Sequence, residues 1–105
     1  MTRDGIQYPA VSDPPTPVWV NLDHLFPRFP DMPRHPNGAG VEFSGVVPGV
    51  LFRRIPAVTG EWMGLVDYTV PYADGRPPLE MRQQLVPFDR DGEHWILRPR
   101  TDDPA

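Results

Sequence analysis

The chain contains no cysteine and no lysine. Without cysteine there is no disulfide framework and no thiolate chemistry, a usage that fits a reducing compartment. Without lysine, all ten cationic side chains are arginines, set against fourteen Asp and Glu for a net charge of −4. An acidic domain lacks the electrostatic footprint of a general DNA or RNA binder. Serine is scarce, at Ser12 and Ser44, and neither lies in a Gly-x-Ser-x-Gly elbow. No apolar run approaches the ~20 residues that span a bilayer. The opening Met1-Thr2-Arg3-Asp4-Gly5 has no apolar stretch of signal type. The expectation is a soluble, cytoplasmic protein, or one carried by a particle assembled in the cytoplasm. Long helices are nearly excluded, because few windows escape proline or glycine.

Proline and aromatic residues are what the chain has in quantity. Sixteen of its 105 residues are proline, roughly three times the usual share. Five Phe, three Trp and three Tyr argue against a solvated linker. The length suits one small domain.

Eight prolines fall in residues 1–36. Asp13-Pro14-Pro15-Thr16-Pro17 reads as an extended, polyproline-like stretch. Val18-Trp19-Val20 reads as a short strand. Asn21 to Phe26 reads as one helical turn with Asn21 as N-cap, stopped by Pro27. Pro27, Pro30, Pro33 and Pro36 then recur every third residue, the period of a polyproline II (PPII) helix. In that conformation Phe26, Phe29, Met32 and His35 line a second edge. Arg28, Asp31, Arg34 and Asn37 line the third. The segment is amphipathic and ends at the turn Asn37-Gly38-Ala39-Gly40.

From Val41 onward strand signals dominate. Gly45 to Ile55 is rich in strand formers, with a bend or bulge expected at Pro48-Gly49. Trp62 to Tyr72 alternates, with Trp62, Val66, Tyr68, Val70 and Tyr72 on one face and Met63, Leu65, Asp67 and Thr69 on the other. Asp74-Gly75 and Asp91-Gly92 are turn signals. They bracket a strand at Leu79–Val86 and precede one at His94–Arg98, which Pro99 ends. The expected fold is mainly β: a small antiparallel meander or SH3-like barrel of five to six strands behind a proline-rich arm. The boundaries follow: an arm over 1–40, a barrel or curled sheet over 41–100, and a polar tail over 101–105.

Trp62-x-Gly64-x-Val66-x-Tyr68 and Leu85-Val86-Pro87 resemble small SH3-like barrels over residues 45–98. The sequence lacks the acidic opening and the paired tryptophans of signalling SH3 domains. The resemblance therefore implies a barrel and assigns no ligand.

His24, His35 and His94 are far apart and have no zinc-site spacing, so no metal and no cofactor is expected. Asp67 and Glu80 would be paired carboxylates only if they faced each other across a hairpin, where like charges repel. No catalytic residue is assigned. The leading expectation is a non-enzymatic protein-interaction or assembly module, such as an accessory or structural component of a phage-like particle. Its PPII arm packs on the barrel or on a neighbouring subunit. The partner is a protein or a second copy, with no membrane involved. Phe26, Phe29 and Met32 would anchor the arm, with Arg28 and Arg34 orienting it. Trp62, Tyr68, Tyr72 and Trp95 are the body's candidate contact residues, since such rings suit partner surfaces. One alternative is a small enzyme or small-molecule binder with a pocket between arm and barrel, where His24, His35, Asp67 and Tyr68 are the first suspects. Another is a single-strand nucleic-acid binder using Arg53, Arg54 and Arg82 beside exposed rings, which the net acidity opposes.

Overall fold

A computed structural model describes residues 11–27 and 37–101. Five antiparallel strands form one sheet: β1 (Val11–Asn21), β2 (Val46–Pro56), β3 (Trp62–Val70), β4 (Leu79–Pro87) and β5 (Leu97–Pro99). One short helix, α1 (Leu22–Leu25), follows β1. The expectation of a mainly β chain with a single helical turn holds. The period-three prolines run into residues 28–36, so Arg28, Phe29, Met32, Arg34 and His35 lie outside the described residues.

The short strand expected at Val18–Val20 is part of a longer one: residues 11–21, placed within the arm by the sequence, are an inner strand of the sheet. β1 pairs with β2 on one side and with β5 on the other. Three prolines in an inner strand conflict with the ladder, because proline donates no hydrogen bond. The register resolves this. Pairing with β2 skips from Ser12↔Arg53 to Thr16↔Leu51, leaving Pro14 and Pro15 in a bulge. β5 pairs only with Val18, Trp19 and Val20, so Pro17 lacks a ladder partner on that side. Pro48 pairs with Trp19, but β3 joins β2 only from Gly49 onward. Each of these prolines has its missing N–H where a ladder is absent or interrupted.

The bend expected at Pro48-Gly49 lies elsewhere. Both residues stay in register, and the irregularity falls between Leu51 and Arg53. Gly49 serves close approach instead. A Cβ there would stand 2.8 Å from the Asp67 carbonyl oxygen and 3.0 Å from Val20 Cγ2.

β2, β3 and β4 form a meander through turns at Gly60 and Gly75, whose φ angles of +99° and +83° favour glycine. The last strand departs from the expected meander. The strand order is β4-β3-β2-β1-β5, so β5 crosses to β1 rather than lying beside β4. The backbone after β4 is held instead by Phe88, whose carbonyl accepts from the N–H groups of Ile96 and Leu97 at 2.8 and 3.1 Å. His94 and Trp95 therefore lie in the connection, and Pro99 is inside β5 rather than beyond it.

The sheet is open in its pairing but curled. Leu97 on β5 packs over Gly64 on β3, two strands removed from it by β2 and β1: a Cβ on Gly64 would be 2.9 Å from Leu97 Cδ1. The concave face holds Val18, Val20, Leu22, Leu51, Val66, Tyr68, Val70, Val86, Ile96 and Leu97. The expected alternation of β3 is observed, with Gly64, Val66, Tyr68 and Val70 buried and the residues between them half-buried.

Candidate functional site

Among the described residues, a polar cluster and an apolar sheet face are the candidate sites. The first lies where α1 meets the β4–β5 connection. Asn21 caps α1 by accepting from the His24 N–H through Oδ1 at 3.3 Å. Its own backbone N–H reaches the Ile96 carbonyl at 2.8 Å. These two bonds bring His24 against the connection. His24 Nδ1 lies 2.7 Å from the Trp95 carbonyl. A carbonyl only accepts, so Nδ1 carries the proton in that bond and the lone pair of the neutral ring is on Nε2.

The connection folds around Asp91. One carboxylate oxygen accepts from the backbone N–H groups of Glu93 and His94, both at 3.0 Å. The other lies 2.8 Å from His94 Nδ1. The His94 hydrogen bond, then that from Glu93, hold the Asp91 carboxyl well down, at about 2. His94 is thus oriented as His24 is, by an acceptor on Nδ1. The two imidazoles stand edge to face, with ring centroids 5.0 Å apart and planes at 84°. Glu93 completes the cluster: one ligand atom from each of Asp91, Glu93 and His94 lies within 4.8 Å of the others.

Residue spacing did not reveal this meeting of His24 and His94, because 70 residues separate them. The visible signal was local, Asp91-Gly92-x-His94, a turn whose aspartate reaches a histidine three residues on.

The second place is the convex face of the sheet. Ile55, Met63 and Pro87 stand side by side across β2, β3 and β4. Arg53, Leu65 and Leu85 form the adjacent row. Five of these six positions are apolar, and all are half-buried or exposed, with Leu85 at 55%. Alternation placed Met63 and Leu65 together in the sequence, but only the register adds Ile55, Leu85 and Pro87.

The other expected contact residues are dispersed. Phe26 packs on Phe43 at 4.5 Å between centroids. Tyr68 is 5% exposed and belongs to the core, where burial raises its hydroxyl pKa. Trp62 begins β3, opposite Pro56, and is 36% exposed. Tyr72 carries the Arg76 guanidinium over its ring at 4.1 Å, and Trp95 carries that of Arg98 at 4.2 Å. One face of each ring is therefore covered by a cation. Asp67 and Glu80 do not oppose each other, since Glu80 pairs with Thr69. Asp67 accepts from the Gln83 N–H at 2.7 Å, and Glu80 holds Arg82 at 2.8 Å. Both have structural partners of their own.

Among the described residues no helix is long and apolar enough to cross a membrane. Comparison with protein-family models, curated proteins and solved structures found no match to this chain.

Proposed function

We propose that the protein is a non-enzymatic assembly module that associates with a second copy of itself through the convex face of β2, β3 and β4. The observation that carries this reading is the pair of rows Ile55-Met63-Pro87 and Arg53-Leu65-Leu85, apolar at five of six positions. A sheet face of this kind is covered most simply by another sheet face, about 10 Å away. The same rows on a second copy supply that cover around a twofold axis. Each leucine fully withdrawn from water contributes about 1.5–3 kcal/mol. The net charge of −4 and the single arginine in the rows favour a protein partner over nucleic acid.

The proline-rich segment supplies the module's other contact. Phe26, where the period-three prolines begin, packs on Phe43 of the same chain. A PPII segment loses little conformational entropy on docking, because proline has already fixed φ.

Light scattering on the full chain tests the reading. The wild type is expected to have the mass of a dimer, and Leu85→Asp that of a monomer with an unchanged near-ultraviolet spectrum. A wild type that is monomeric at high concentration, or a dimer that Leu85→Asp leaves intact, overturns it.

A further inference from the structure

From the turn that joins the proline-rich segment to the sheet we infer that Asn37 is a modification site. Its side-chain amide becomes a carboxylate by intramolecular deamidation, with the Gly38 backbone nitrogen as nucleophile and water as co-reactant. The site lies apart from the convex face and does not depend on whether the chain dimerises.

Three observations support it. The first is the nucleophile. Deamidation begins when the backbone nitrogen of the next residue adds to the side-chain carbonyl carbon, so that nitrogen must be unhindered and free of hydrogen bonds. Asn37 and Gly38 are both exposed, and a Cβ built on Gly38 meets nothing within 4 Å. The Gly38 N–H donates to no described residue.

The second is contrast. Asn21, Asp74-Gly75 and Asp91-Gly92 could cyclise by the same route, but there the nitrogen is engaged. The Leu22 N–H donates to the Gly45 carbonyl at 2.8 Å and the Gly75 N–H to the Tyr72 carbonyl at 3.1 Å. The Gly92 N–H donates to Asp89 Oδ1 at 2.7 Å. The third is the electrophile. The Ala39 N–H donates to Asn37 Oδ1 at 3.1 Å. When the nitrogen adds, negative charge develops on Oδ1, where that donor already stands. The turn thus sets a free nucleophile beside a supported oxyanion.

The steps balance with water alone. The Gly38 nitrogen gives its proton to solvent as its bond to Cγ forms. The Cγ–Nδ2 bond then breaks, and Nδ2 leaves as ammonia with a proton from solvent. The succinimide so formed takes up one water. Opening at Cγ gives aspartate, whereas opening at the main-chain carbonyl gives isoaspartate, with the chain running through Cγ. Either product adds one negative charge to the net −4. Arg76, whose guanidinium donates to the Ala39 carbonyl, stands beside it. Isoaspartate also inserts one main-chain atom before a stretch pinned to its neighbours, where the Ala73 N–H donates to the Gly40 carbonyl at 2.8 Å and the Glu42 N–H to the Pro71 carbonyl at 2.7 Å. It lengthens the join between the proline-rich segment and the sheet.

Incubation of the full chain in mildly alkaline buffer, followed by peptide mass spectrometry and measurement of released ammonia, tests the assignment. The expected result is an amide-to-acid mass gain at Asn37 with two chromatographically distinct products, at a rate proportional to hydroxide. The folded chain should react there at least as fast as the chain unfolded in urea. Asn21, Asp74-Gly75 and Asp91-Gly92 should change only in urea. Gly38→Val has open space for its side chain and should slow the reaction by about tenfold or more, because a stiff branched side chain hinders the nitrogen's approach. Should that variant lose its fold, the comparison of folded and unfolded wild type decides. An Asn37 that persists in the folded chain while the unfolded one reacts, equal conversion of Asn21 in the folded chain, or a wild-type rate in folded Gly38→Val overturns the inference.

Discussion

Asp91 organises the loop around it. Its carboxylate takes two backbone N–H groups and one imidazole. These bonds favour the ionised form, so its pKa falls to about 2. A depressed carboxyl stabilises the folded loop above its ordinary value, and that contribution is lost as pH falls through about 2. The amide signals of Glu93 and His94 are therefore expected to hold their folded positions down to the ordinary carboxyl range and to move only below it. In Asp91→Asn those signals should be displaced already at neutral pH. An NMR pH titration of both proteins checks this. Arginine shows the same economy at the residue scale. With no lysine available, Arg76, Arg98 and Arg100 lie over Tyr72, Trp95 and Trp19. Arg100 also donates to the Val18 and Gly49 carbonyls at 3.3 and 3.2 Å. The planar guanidinium can stack and donate together, which an ammonium cannot.

Helix α1 is four residues long and has no stability of its own. Its cap and its neighbours hold it. Asn21 is 7% exposed, accepts from His24 and ties the strand end to Ile96. Removing its side chain leaves the His24 N–H without that acceptor. Asn21→Ala is expected to cost about 1 kcal/mol in urea unfolding. The strands carry a different lesson. β4 is an edge strand of nine residues, and long flat edges invite aggregation. Here the edge is interrupted by Gln83 at φ +50°, held by Asp67, and by the charged pair Glu80 and Arg82. A bulge and two charges blunt the edge.

On the scale of the whole molecule, the sheet is stabilised by contacts between strands that are not neighbours. Leu97 is 7% exposed and reaches across the concave face to Gly64. Leu97→Ala is expected to cost about 2–5 kcal/mol, a large part of the roughly 5–15 kcal/mol that holds such a domain. Leu85→Ala, on the convex face, should stay within about 0.5 kcal/mol in the monomer. Urea denaturation of both variants compares them directly.

The turns, the N-cap and the alternation of β3 were legible in the chain because each depends on neighbours close in sequence. Gly75 and Gly92 fill positive-φ positions, Asn21 needs only His24, and Val66 and Tyr68 follow the period of two. The Val18–Val20 part of β1 was legible as a strand, but its extension back to Val11 was not, since Pro14, Pro15 and Pro17 argue locally against a strand. It follows from a bulge and from the shortness of β5, both of which depend on partner strands. Alternation and turn chemistry determined that this chain makes short antiparallel strands. Only the tertiary structure decided that the last strand crosses to β1, which brings His94 to His24, and that the β2–β3–β4 register sets Ile55 beside Met63 and Leu65 beside Leu85. Local rules fix backbone conformation residue by residue, whereas strand order is chosen by which faces bury the most apolar surface together.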